Sequence, residues 1–257
     1  MKSILLAGGA IIADDPLSSY INYGSKSLIP IGGKPMVQWV LDALNQSQAV
    51  DEIFMVGLDA TCELASSKPL IFLPGQASLF DNIRYGSNMV RESSREDATI
   101  ILITGDIPGL TTPMVDCLAE EKLDEAYDLV FSVIPRPVME ATFPRSNRSY
   151  IKFKDVEVCG ADIHLINTRL MQQADRIWEQ LVESRKNAMK QTALIGFDTV
   201  LLLLLKAITL EQTADRISRK LKIRGKILQV PFAEMGMNVA NPLQLELMKA
   251  YLSERAA

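Results

Sequence analysis

Histidine and cysteine are scarce in this chain. His164 is its one histidine, which excludes a histidine-rich metal centre and a two-histidine relay. The cysteines are Cys62, Cys117 and Cys159, far apart and without a CxxC pair. That spacing argues against a disulfide framework or a zinc site and for a reduced, cytoplasmic protein. Net charge is −4, so no global basic field is available to draw a nucleic acid. No basic segment precedes the first apolar run, which is too short for a signal peptide. The longest apolar stretch, residues 199–205, closes at Lys206. A membrane span needs about 20 apolar residues, so this stretch reads as a buried helix and no membrane partner is expected.

What is present is a large apolar fraction, 48% of 257 residues. That suffices for one large α/β domain or two small ones. Short apolar runs alternate with helical periodicity through the first half. Strands are expected at residues 3–7, 52–57, 70–74, 99–104 and 129–134, and helices at 36–44, 78–90 and from 112. Ser78 suits an N-cap; Thr112 suits another, with Pro113 in the first turn. The run at 99–104 is the most apolar and is expected to be central. Such alternation predicts a three-layer, doubly wound, mostly parallel sheet with helices on both faces. Beyond it, a hairpin turning at Lys154-Asp155, a strand at 161–167, a largely helical block at 168–221, a strand at 226–232 and an amphipathic helix at 242–253 are expected. No internal repeat or low-complexity linker divides the chain. It reads as one domain over 1–257, with a nucleotide-binding half (1–135) and an acceptor-binding, helical half (136–257).

The first strand ends at Gly8-Gly9, where no side chain shields the backbone and a ligand can come close. Lys26 follows a polar loop, within Lys26-Ser27-Leu28-Ile29-Pro30-Ile31-Gly32-Gly33-Lys34-Pro35-Met36. Bare backbone at a strand end with a lysine returning to it is one way an α/β protein holds a phosphate. Thr104-Gly105-Asp106-Ile107-Pro108 directly follows the central strand. Ligands of open α/β sheets gather beyond the carboxyl ends of the strands, which puts Asp106 where a metal ligand belongs. Its bland alternative is a cap on the following turn.

Leu6-Ala7-Gly8-Gly9 and the Lys26–Met36 string resemble the opening of the GT-A-like nucleotidyltransferases. These include the molybdopterin-guanine-dinucleotide synthases and the isoprenoid and sugar-phosphate nucleotidylyltransferases. The resemblance implies a Rossmann-like nucleotide-diphospho-sugar transferase fold and transfer of a nucleoside monophosphate from a nucleoside triphosphate to a small phosphorylated acceptor. Pyrophosphate leaves, and Mg2+ assists. It implies that Leu6, Ala7, Gly8, Gly9 and Lys26 hold the triphosphate and that Lys26 and Asp106 are catalytic. It also implies that Asp106 binds the metal, with Asn238 at the place of a second metal aspartate. An asparagine supplies a neutral oxygen, so weaker metal binding is expected there. A homodimer is compatible with the resemblance. Residues 10–16 depart from it, having neither the second glycine nor the arginine that meets the leaving pyrophosphate.

Further candidates are less sharply defined. Gln76, Ser78 and Asn82 follow the third strand, where the family reads the base and orders the phosphates. Gln76 offers a paired donor and acceptor, while capping by Ser78 and a surface Asn82 account for these residues equally well. Arg145, Arg148 and Lys152 form a basic cluster suited to an acceptor phosphate or carboxylate, or to a solvated loop. Asp162 stands where relatives contact the acceptor. His164 reads as a satisfied core histidine. Two rival functions stay open. A glycosyltransferase would usually carry D-x-D where this chain has Asp106-Ile107-Pro108. A nucleotide-binding sensor would explain the missing glycine and arginine.

Overall fold

The computed structural model describes residues 1–8, 15–21, 24–121, 127–173, 202 and 205–256. Its strands are β1 (Lys2–Leu6), β2 (Pro30–Ile31), β3 (Lys34–Pro35), β4 (Glu52–Val56), β5 (Leu70–Leu73), β6 (Thr99–Thr104), β7 (Leu129–Pro135), β8 (Ile151–Lys152), β9 (Glu157–Gly160), β10 (Ile163–Asn167) and β11 (Gly225–Gln229). Its helices are α1 (Met36–Gln46), α2 (Leu79–Ser94), α3 (Thr112–Glu120), α4 (Arg136–Thr142), α5 (Leu170–Gln173), α6 (Leu210–Leu221) and α7 (Pro242–Ala256).

One nine-stranded sheet runs in the order β5-β4-β1-β6-β10-β7-β9-β8, with β11 also paired to β7. The strands β5, β4, β1 and β6 are mutually parallel. β10 is antiparallel to both β6 and β7, while β11 is parallel to β7. β6 therefore sits inside the sheet, as its composition predicts. The pleat splits each strand between two cores. Leu5, Ile53, Met55, Ile101 and Ile103 face α1, α3 and α7; Ile4, Leu6, Phe54, Val56 and Ile100 face α2 and α5. The result is a three-layer α/β fold.

Several local expectations hold. Ser78 caps α2, accepting from the Asp81 N–H at 3.0 Å. The hairpin closes at 154–155, with Ile151 opposite Val158. Three need correction. α3 is capped at Thr111, and Thr112 is its first residue; the Thr112 hydroxyl donates to the Ala43 carbonyl of α1 (3.2 Å). The strand expected from 161 begins at Ile163, because Ala161 and Asp162 form a break between β9 and β10. α7 buries Leu245, Met248 and Leu252 on one side but leaves Leu243 48% exposed, so its apolar residues are not confined to the core face. Residues 174–201, most of the expected helical block and the start of its apolar run, lie outside the described residues, as does Gly9.

Candidate active site

The carboxyl ends of β1, β4 and β6 meet at a crowded edge. A Cβ on Gly8 would lie 2.5 Å from the Gly57 Cα, so these two strand ends approach only as glycines. Gly57 also has φ +100°, which favours glycine. The Ala7 and Gly8 N–H groups both donate to the Val56 carbonyl, at 2.9 and 3.0 Å. The Gly8 amide is thus committed within the sheet, and its contribution is close approach of the backbone. The Leu6 side chain is in the core; its carbonyl accepts from the Gly105 N–H at 2.8 Å, binding the ends of β1 and β6 together.

Ser25 places the lysine. Its buried hydroxyl donates to the Ala7 carbonyl (2.7 Å) and accepts from the Ser27 N–H (3.3 Å), starting a single 3-10 turn, Lys26–Leu28. This pins the turn to the end of β1. Lys26 Nζ then reaches Asp106 Oδ2 at 2.5 Å. The side chains are 27% and 13% exposed, so the pair is shielded but open on one side. Asp106 Oδ1 is buried with no hydrogen-bond partner among the described residues. Burial alone would raise the Asp106 carboxyl. The Lys26 ammonium holds it below the usual carboxylate range.

The second half of the chain closes the same site. The Val239 N–H donates to the Asp106 carbonyl (2.9 Å), which brings Asn238 alongside. Asp162, in the break between β9 and β10, accepts from the Thr104 N–H through its carbonyl (3.1 Å) and donates its own N–H to Met235 (2.8 Å). Arg148 Nη1 donates to Asn238 Oδ1. Its Nη2 donates to the Gly160 carbonyl at 3.2 Å and lies 3.9 Å from Asp162 Oδ2. Lys26, Asp106, Arg148, Asp162 and Asn238 are therefore assembled along one edge.

Other candidates have local partners. Ser78 is an N-cap, and Asn82 Oδ1 accepts from the Gln76 N–H at 2.7 Å, so both shape the β5–α2 connection. The exposed Gln76 side chain donates to the Pro74 carbonyl at 2.9 Å. Lys152 pairs with Glu157 (3.3 Å) across the β8–β9 hairpin, and Glu157 also holds Arg136. Arg145 is exposed, with no hydrogen bond or ion pair among the described residues. His164 Nδ1 accepts from the Ser132 N–H (3.1 Å) and its ring stacks on Phe131; it is satisfied as expected, but half-buried against an exposed ring and not in the core.

Sequence reasoning missed two features. One is Ser25, whose N-cap chemistry before Lys26 was a readable signal. The other is a cavity of about 640 Å³ at the end of β4, lined by Ser25, Leu28, Gly57, Leu58, Thr61 and Glu63 among others. It adjoins the Lys26 turn through Ser25 and Leu28.

The mixed, mostly parallel sheet between two helical layers, together with the family match, makes this a nucleotidyltransferase-like protein. The chain belongs to the MobA-like NTP transferase domain family, whose model matches residues 3–189. No curated protein sequence matches it significantly. A hypothetical transferase structure from Thermus thermophilus is 28% identical, with a TM-score of 0.79 over 95% of this chain and 100% of that one. A CMP:2-keto-3-deoxy-manno-octonic acid synthetase solved with CTP shares the fold at 18% identity and TM-score 0.61, over 99% of this chain and 100% of that one. A 4-diphosphocytidyl-2C-methyl-D-erythritol synthase shares it at 14% identity and TM-score 0.57, over 98% of each chain. No helix among the described residues is long and apolar enough to cross a membrane.

Proposed function

We propose that the chain transfers a nucleoside monophosphate from a nucleoside triphosphate to a small phosphorylated acceptor and releases pyrophosphate. The observation that carries this reading is the Lys26–Asp106 pair at the carboxyl edge of β1 and β6 in a chain of the NTP transferase family. Together its side chains are neutral, whereas a triphosphate carries several negative charges. A further cation is therefore needed to hold it, and Mg2+ fits the donors on one side. Asp106 Oδ1 is buried and without a partner among the described residues, the kind of oxygen a hard cation takes. No cluster of three or more acidic, histidine or cysteine side chains suited to a metal occurs among the described residues. Phosphate oxygens and water would complete the shell, as is usual for Mg2+. When bound, the ion would neutralise phosphate charge and align the in-line displacement.

The chain's own groups do the rest. Lys26, released from Asp106 Oδ2, turns its ammonium toward the α-phosphate. Gly8 and Gly57 let the ends of β1 and β4 meet closely, which shapes the edge against which the phosphates would lie. An acceptor phosphate oxygen attacks the α-phosphorus, the bond to the β-bridging oxygen breaks, and pyrophosphate departs with its electron pair. Arg145, exposed and with no hydrogen bond or ion pair among the described residues, is placed to meet the acceptor or the leaving group. The protein's contribution is positioning and charge stabilisation. The likeness to a synthetase solved with CTP supports testing CTP among the triphosphates.

Thermal-shift screening of the four triphosphates with Mg2+, followed by pyrophosphate release with phosphorylated acceptors, tests the reading. Asp106→Ala is expected to abolish Mg2+-dependent triphosphate binding. Unchanged binding in calorimetry would reject the assignment. One observation favours a second reading: residues 10–16 lack the second glycine and the arginine. Binding without pyrophosphate release for any acceptor would support a nucleotide sensor.

A further inference from the structure

We infer that Arg148 is a fixed cation of this site and that Asn238 positions it, leaving Asp106 as the only side chain of the pair that takes a metal ion. The inference deepens the transferase reading above, on which its functional meaning rests.

Three separate segments converge on one guanidinium. Asn238, from the stretch before α7, accepts from Nη1. The Gly160 carbonyl at the end of β9 accepts from Nη2 at 3.2 Å. Asp162, in the following break, supplies a carboxylate 3.9 Å away. The Arg148 side chain is only 16% exposed, so this is an enclosed group rather than a loop arginine in solvent. Its neighbours are themselves fixed by backbone bonds, Val239 to Asp106 and Asp162 to Met235. A planar fork gripped at both terminal nitrogens loses little freedom on meeting an anion.

This arrangement bears directly on the metal. A divalent ion reaching Asn238 Oδ1 would have to displace a cation that already occupies that oxygen. It would do so for a neutral amide, a weak ligand beside a carboxylate. Close approach of two like charges in a shielded site is costly. The guanidinium carries its charge at any metal concentration. Arg148 can therefore neutralise part of an anionic substrate where a second protein–metal contact would otherwise act.

Mn2+ titration of the nucleotide-free protein, followed by electron paramagnetic resonance, tests the inference. Wild type is expected to bind Mn2+ weakly through Asp106, and Asn238→Ala to leave the affinity within about twofold. Arg148→Met should tighten Mn2+ binding about tenfold or more by releasing Asn238, and Arg148→Lys should not. Adding Asn238→Ala to Arg148→Met should remove most of that gain; this separates a freed ligand from a general loss of positive charge. If Arg148→Met fails to fold, the wild-type and Asn238→Ala comparison decides alone. A tenfold loss of Mn2+ affinity in Asn238→Ala, or no gain in folded Arg148→Met, would overturn the inference. The titration uses no nucleotide, so it reads out separately from a failure to release pyrophosphate.

Discussion

The Lys26 ammonium lies 2.5 Å from Asp106 Oδ2 although the two residues are 80 positions apart. The contact joins the turn after the first loop to the end of the central strand. It also sets the resting charge of the site, since each partner is the other's nearest counterion. Removing one leaves a shielded charge unpaired, which costs more than the pair contributes net.

Lys26→Met should therefore destabilise the fold by about 2 kcal/mol, less than the ~3–5 of a fully enclosed pair because the lysine reaches solvent. Asp106→Asn in the same chain should restore part of this loss. Urea unfolding of the four proteins gives the coupling as a double-mutant cycle. Independent, additive losses would show that the pair is not an energetic unit in the resting protein.

A second ion cluster lies at the opposite edge of the sheet, away from the chemistry. Buried Asp128 accepts from Arg169 Nε (2.7 Å), Arg224 Nη2 (3.1 Å) and the Arg224 N–H (2.9 Å). It joins the start of β7 to the start of β11 and the end of β10. Burial alone would raise the carboxyl, but the Arg224 and Arg169 bonds outweigh it and hold it below the usual carboxylate range. A depressed folded value means stability that is present above about pH 4 and lost as pH falls through the folded value. Asp128→Asn should cost about 2 kcal/mol at pH 7, since Arg224 stays half exposed. It should also flatten the acid limb of the stability curve, as measured by urea unfolding between pH 2.5 and 7. The same substitution should leave triphosphate binding unchanged.

His164 gives a different pH window. Burial pushes it down from 6.5 to about 4. Above about pH 6.5 neither the folded nor the unfolded state is protonated. As pH falls toward 4, the unfolded chain binds the proton first, so stability declines by up to ~3 kcal/mol and then levels off. His164→Gln retains a neutral acceptor for the Ser132 N–H and should remove this slope between pH 6.5 and 4. An identical slope in the variant would place its origin elsewhere.

Much of the first half of the chain was legible because its elements carry local signals. β1, β4, β6 and β7 are apolar runs bounded by glycine, proline or polar residues, and Ser78 is a cap followed by a helical period. Thr112 shows the limit of such signals. Two adjacent threonines both suit the cap, and contact with the Ala43 carbonyl, 69 residues away in sequence, accompanies the choice of Thr111. Asp106 was legible from its place at a strand end. The grip of Asn238 on Arg148 was not, because it joins segments 90 residues apart and has no periodicity. Nor could sequence show that the Gly8 amide bonds to Val56, since that depends on how closely Gly57 approaches.

The last prediction concerns turnover, where the chain departs most from the sequences it resembles. Residues 10–16 contain no arginine to meet the charge developing on pyrophosphate. Losing one donor aimed at developing charge typically costs ~3 kcal/mol, roughly a hundredfold in rate. Arg145 and Arg148, of the basic cluster beyond α4, are the arginines that could compensate, and the structure separates them. Arg148 is held by Asn238 and Gly160, whereas Arg145 is exposed and has no hydrogen bond or ion pair among the described residues. Arg145 is therefore the one expected to close over bound triphosphate. Arg145→Ala should slow single-turnover pyrophosphate release by about tenfold or more while changing triphosphate affinity little. Arg145→Lys should recover only part of the rate, because an ammonium lacks the planar fork that binds two phosphate oxygens together. Quenched-flow measurement at saturating triphosphate and acceptor distinguishes the outcomes. Slow release in wild type, unaffected by Arg145→Ala, would mean that the missing donor is not replaced. Fast release unaffected by the substitution would mean that Lys26, the metal and the backbone suffice without a guanidinium at the leaving group.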